Sequence, residues 1–457
     1  MKQTNNTIKF LMAQYRAIYQ SAYLKGLASA IIVTATLAAG QAQAATTNFD
    51  KATSGGTITI SQDSDVLEIT TAITSKDNLP FTVKISTGKN AVNKVEGVAA
   101  SANKATFEIN GTDTQLKVAA STGGSAAAGS LTIGTLDVKK GIVTVEANGA
   151  NAATLAASQI KVGNGGKITV AGTNTPTVAS TLGDATKTTY TLDSGSTITL
   201  GTSGSMVGQD VVSTGGKIVL SGGSYETPTT SAQKLDFDIV ATSSIKLPNS
   251  GDTLGTLNLA SGSTIDIKAG QAANKLEITA NADSKGSILV LQDGVSLKSS
   301  LATGNTVGGV ISVSGAAGGG TPSNSELHLT GKTLGEFLKP TDTTKNASGQ
   351  LVLDANSTLK FTNDSSVDIA ADETKADGTA INVKATNAGG TDPAGSVIVK
   401  GATTIDGKKI TISKAMGNGL DQNLSVTADE LTLGNSSDHF DGSASLGVAS
   451  LDRKSVV

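Results

Sequence analysis

Asp236 and Asp238 flank Phe237 in the segment KLDFDIV. Two carboxylates separated by one residue leave an extended strand on the same side, so both should point outward from one face. A pair of this kind can do acid–base work on a glycosidic bond, and its oxygens could bind Ca²⁺. Asp63 and Asp65 have the same spacing, within the turn-like SQDSD. The calcium reading lacks an EF-hand loop or a GGxGxD repeat. The commoner meaning of such pairs is a solvated acidic face. Lyases acting on sugar acids also need cations to neutralise the substrate carboxylate. The only arginines are Arg16 and Arg453, so lysine alone could serve. Rings on which sugars could stack are scarce, with 3% aromatic residues and no Trp.

The remaining reactive side chains are sparse. His328 and His439 are the only histidines. His328 alternates with Leu327 and Leu329 in SELHLTG, which points it outward from a strand. With no cysteine in the chain, zinc has no obvious ligand set. A nucleophilic serine needs a histidine base, and no GxSxG stands at a strand-to-helix turn. Gly318 to Gly320 do not open a βαβ unit, so they form a loop and not a phosphate cradle. These residues predict no enzyme, no cofactor and no metal. A catalytic groove would instead collect three or more acidic and Lys side chains on one face of adjacent rungs.

The elements that must carry these residues follow an eight-residue step. In LVLDANSTLKFTNDSSVDI the pairs Leu351/Leu353, Leu359/Phe361 and Val367/Ile369 each start eight residues after the last. The same step runs through IKVGNGGKITV (Ile160 to Val170), YTLDSGSTITL (Tyr190 to Leu200), FDIVATSSIKL (Phe237 to Leu247) and LNLASGSTIDI (Leu257 to Ile267). Looser copies occur at GGTITI, GGKIVLSGG, GGVISVSG, LEITA and KITISK. Period-two alternation marks short strands with one buried face, about three to five residues long. The intervening GNGG, DSGS, ASGS and DANS are turn sequences. Medium-sized aliphatics inward, Thr and Ser outward, and no closure signal favour a solenoid over a meander, since each rung of a solenoid touches only its neighbours. The predicted fold is all-β, a right-handed parallel β-helix, because parallel crossovers are right-handed.

The strings GSTITL, GSTIDI and GGKITV resemble the right-handed, pectin-lyase-like β-helical passengers of Gram-negative autotransporter adhesins. The resemblance covers most of residues 55–433 and is one of texture. It implies an exported surface protein whose passenger is followed by an outer-membrane barrel.

Organisation along the chain is uneven. Residues 1–44 carry Lys2, Lys9, Arg16 and Lys25 and no acid, then an apolar run from Leu27 to Ala39, then AQA. This is a helical signal peptide with an extended basic start, cleaved after Ala42 to Ala44 so that the mature chain begins at Ala45. Tyr15, Tyr19 and Tyr23 would share a helix face in that leader. Residues 45–451 form the solenoid region, with loop insertions near 121–129 (STGGSAAAG) and 315–349 (beginning GAAGGGTPSNS). TLGEFLK, Thr333 to Lys339, is a candidate short helix with capping-box spacing, stopped by Pro340. Residues 452–457, DRKSVV, change style; read back into codons they resemble a sequencing-library adaptor. They are expected to be non-native, with an anchor or barrel encoded beyond.

Net charge is −3, and without the leader and the last six residues the body is more acidic and free of Arg. Such a surface is a poor partner for phosphate backbones and anionic lipids, which sets nucleic acid aside. The expected function is a secreted or cell-surface structural and adhesive β-helix. Its partner would be a glycan or protein on a host or neighbouring cell. A secreted glycan-active enzyme, a polysaccharide lyase or glycosidase, is the alternative. A surface-layer or matrix subunit shares the fold and would assemble through its edges.

Overall fold

The computed structural model describes residues 100–315 with short interruptions, and separate strands from residue 46 to residue 451; side chains are described for residues 82–85 and for most of 105–360. The protein is all-β. Apart from the short pair Thr173–Asn174 with Thr177–Val178, every paired strand among the described residues is parallel to its partner.

The strands pair in ladders whose inward residues superpose in files. The first ladder stacks Leu131, Leu155, Leu182, Met206, Tyr225, Ile245, Ile278, Val313 and Leu353. The second stacks Phe107, Leu136, Ile160, Tyr190 and Val211. The third stacks Leu116, Val143, Ile168, Ile198, Ile218, Phe237, Ile265 and Leu297. A further ladder stacks Leu257, Leu289, Leu327 and Leu359. All these side chains are buried, and they belong to one hydrophobic cluster. Burial of aliphatic area is the main favourable term in such a core, at roughly 25 cal/mol per Å².

The eight-residue step is the walk from one ladder to the next. Ile160 to Ile168 and Tyr190 to Ile198 pass from the second ladder to the third. Phe237 to Ile245 passes from the third to the first. Leu351 to Leu359 leaves the first for the Leu257–Leu359 ladder. Return to the same ladder takes much longer. Successive members of the first ladder are 20 residues apart from Tyr225 to Ile245 and 40 apart from Val313 to Leu353.

Two of the described corners are tight turns. Ser196 N donates to Asp193 O at 3.0 Å, and Ser263 N to Ala260 O at 3.1 Å. The third residues of these turns, Gly195 and Gly262, have φ of 85° and 82°. A type II turn requires that left-handed conformation, and glycine meets it without a Cβ clash. Gly262 N also donates to Gly294 O at 3.0 Å, so one corner is bonded to the corresponding turn of the next rung.

Strand length departs from the sequence expectation in one region. Ala100–Ala119 is 20 residues long and Gly129–Glu146 is 18. They run through several ladders as continuous strands. Register shifts between Ala102 and Thr106, and on either side of Asn110, bend them round the corners instead. Between Asn110 and Gln115 residues 111–114 face Gly141 alone, and such unpaired residues bend a strand without ending it.

Of the triplets ending at Ile369, Leu351, Leu353 and Leu359 are buried. Phe361 lies in strand Ser357–Thr362, in register with Leu329, and its side chain is not among the described ones. Val367 and Ile369 lie outside the described residues. So do the leader with Ala42, Ala44 and Ala45, the pair Asp63/Asp65, His439, most of the glycine-rich stretches, and Asp452 to Val457. Of the candidate helix, Phe337 alone is described; it is helical and buried. Within 315–349 lies strand Ser325–Thr330, flanked by the leucine ladder on both sides.

Candidate functional site: a carboxylate and lysine face

Strand Lys234–Ala241 places Leu235, Phe237 and Ile239 in the core and turns Asp236 and Asp238 to the outer side. The outward pair expected from KLDFDIV is therefore present. Its neighbours come from other strands. Lys217 is in register with Asp236, Asp238 with Asp266, and Asp266 with Lys298.

Asp238 is the hub. Its Oδ2 accepts a hydrogen bond from Lys217 Nζ at 3.2 Å and from Lys268 Nζ at 2.9 Å. Burial opposes the charge on Asp238. The hydrogen bonds from Lys268 and Lys217, with their positive charges, outweigh it and hold the carboxyl below the usual range. The same contact raises the Lys268 ammonium. Asp236 Oδ1 accepts from the Thr264 backbone N at 2.8 Å. Asp266 Oδ1 is buried with no hydrogen-bond partner.

This outer face thus gathers Asp236, Asp238, Asp266, Lys217, Lys268 and Lys298, the residue mix set out above as the mark of a catalytic groove. Its shape and protonation differ from that mark. A general acid on a glycan needs a raised carboxyl pKa, whereas Asp238 is driven toward permanent charge. The face is part of a sheet surface, and two depressions on the described surface lie elsewhere. One, about 380 Å³, is lined by Ser224, Ser244 and Lys246. Another, about 250 Å³, lies beside Asp184 and Lys187. Among the described residues no group of three His, Cys, Asp or Glu side chains is placed to hold a metal ion. Asp238 is thus held between two lysines, and Asp236 is bonded to the backbone of the neighbouring strand.

His328 points outward between the buried Leu327 and Leu329, as its alternation implied. Its Nε2 contacts Glu326 Oε2. That hydrogen bond, working against burial, holds the Glu326 carboxyl below its ordinary range. The sequence contained no signal for Lys217 or Lys268 as partners of Asp238, because they lie 21 and 30 residues away.

No protein-family model, curated protein or solved structure matches this chain.

Proposed function

We propose that this chain is a right-handed parallel β-helix, similar to the passenger of an autotransporter adhesin. It is exported with its leader removed before Ala45. At the surface of a Gram-negative cell it serves as a stiff stalk that attaches to a glycan or protein on another cell. One observation carries the reading: the in-register parallel stacking of aliphatic files, from Leu116 to Leu297 in one ladder and from Leu131 to Leu353 in another. Paired strands lie about 4.8 Å apart, so such stacking extends a narrow body in one direction. Attachment would then use its lateral face.

Small-angle scattering and a cell-attachment assay on the full chain test this. The expected results are the cross-section profile of a rod and attachment to host or neighbouring cells above that of an unrelated protein. A compact spherical profile removes the solenoid, and attachment at background removes the adhesive role.

A glycan-active enzyme is the second reading, favoured by the Asp236–Asp238–Asp266 face with its three lysines. Cleavage of a polysaccharide by the purified chain, abolished in Asp238→Asn, would establish it in place of the first.

A further inference from the structure

We infer that a trough on the outer side of the first ladder binds an uncharged, hydroxyl-rich carbohydrate chain. The inference deepens the adhesive reading and rests on it for its biological sense. Ser205, Ser224, Ser244 and Glu277 are in register on four successive strands. Glu226 and Lys246 follow the paired Tyr225 and Ile245 and flank that file. These six residues line the depression of about 380 Å³, within the usual range of small-ligand sites, about 300–1,000 Å³. Four stacked strands make a file about 14 Å long. Its repeat is close to that of successive rings in an extended oligosaccharide.

The decisive residue is Ser244. It is 8% exposed, although its register with Ser224 and Glu277 turns it outward. Its hydroxyl makes no hydrogen bond to any described group. Other nearly buried serines spend theirs on the backbone: Ser180 on Ala171 O at 2.7 Å, Ser213 on Lys234 O at 2.7 Å and Ser287 on Thr279 O at 2.7 Å. The Ser244 hydroxyl opens onto the trough, where a ligand hydroxyl could donate to it or accept from it.

Two of the three charged groups around it, Lys246 and Glu277, are also uncommitted. Some outward lysines elsewhere are held by acids, as in Lys117–Glu146 at 2.7 Å and Lys139–Glu108 at 3.1 Å. Lys246 and Glu277 make no ion pair or side-chain hydrogen bond among the described residues, and Glu226 accepts from Ser224 at 2.5 Å. The trough therefore presents a free donor at Lys246, a free acceptor at Glu277 and an amphoteric hydroxyl between them. Vicinal sugar hydroxyls can donate to a carboxylate and accept from an ammonium. A polyanion would meet Glu226 and Glu277 as like charges. A peptide backbone would find no edge to pair with, since strand Ser243–Ile245 is bonded on both sides.

The test is saturation-transfer NMR on the full chain with three neutral probes, mannotriose, maltotriose and triacetylchitotriose, and with a sulfated heparin hexasaccharide. At least one neutral trisaccharide is expected to receive saturation. Ser244→Val and Glu277→Gln should each weaken it by about tenfold, with thermal midpoints unchanged, while Lys298→Met on the third ladder leaves it intact. If Ser244→Val fails to fold, Glu277→Gln decides. Silence from all three neutral probes, binding of the heparin fragment alone, or full binding by the variants overturns the proposal. Cell attachment that survives Ser244→Val would remove the trough and leave the adhesive reading standing.

Discussion

The Asp238 carboxylate lies 2.9 Å from the ammonium of Lys268, a residue 30 positions further along the chain. Lys217, 21 positions before Asp238, reaches the same oxygen from the other side. One carboxylate thus ties three consecutive strands of the third ladder.

That arrangement has a pH signature. A carboxyl whose pKa is depressed by folding contributes stability above its unfolded pKa, and the contribution is lost as pH falls through the folded value. Asp238 is such a group, so its contribution fades below about pH 4. Both lysines are more than 40% exposed, at 43% and 44%, and solvent screens the pairs. Asp238→Asn is therefore expected to cost only about 0.5–1 kcal/mol at pH 7 and distinctly less at pH 3. Denaturant unfolding of both chains at the two pH values measures this; an equal difference at both would show that charge is not the cause.

Two tyrosines in the core should respond to the same substitution with opposite sign. Tyr190 OH donates to Leu182 O at 2.8 Å and lies 2.9 Å from Val207 O. Tyr225 OH is buried with no partner, its ring edge-on to Phe237 at 5.3 Å. Tyr190→Phe should cost about 1 kcal/mol, by loss of a satisfied hydrogen bond. Tyr225→Phe should be neutral or stabilise by about 1 kcal/mol, because it removes an unmet buried hydroxyl. Thermal unfolding of the two variants side by side gives the signs directly, and a loss of stability in Tyr225→Phe as large as in Tyr190→Phe would contradict this.

Glycines at the corners divide into two kinds. At Gly262 a Cβ would meet only Lys234 Cε, at 3.6 Å, but φ is +82°. Gly262→Ala should therefore cost about 1–2 kcal/mol of backbone strain. At Gly204 the backbone angle is ordinary, but a Cβ would stand 2.3 Å from Val170 O. Backbone of the adjacent strand must then move, and Gly204→Ala should cost about 3 kcal/mol or more. Equilibrium unfolding that ranks Gly262→Ala above Gly204→Ala would reverse the assignment of steric and conformational causes.

Much of the fold was legible one strand at a time. Alternation in YTLDSGSTITL placed Tyr190, Leu192, Ile198 and Leu200 inward, and all four are buried. It put Asp236, Asp238 and His328 outward just as directly. The turn at DSGS was legible too, because Gly195 supplies the left-handed residue the corner needs. The long strands Ala100–Ala119 and Gly129–Glu146 were not, since the turn-type residues Asn110 to Asp113 bend the strand without ending it.

What the sequence determined by itself is which way each side chain points, for that depends on a period of two within a few residues. Which strands lie side by side was decided only in the tertiary structure. Parallel pairing is made by backbone groups that every residue shares, and the returning segments differ in length, as the spans of 20 and 40 residues illustrate. Hence the step of eight was visible, while the register that brings Lys217 and Lys268 onto Asp238, and sinks Ser244 between Ser224 and Glu277, was not.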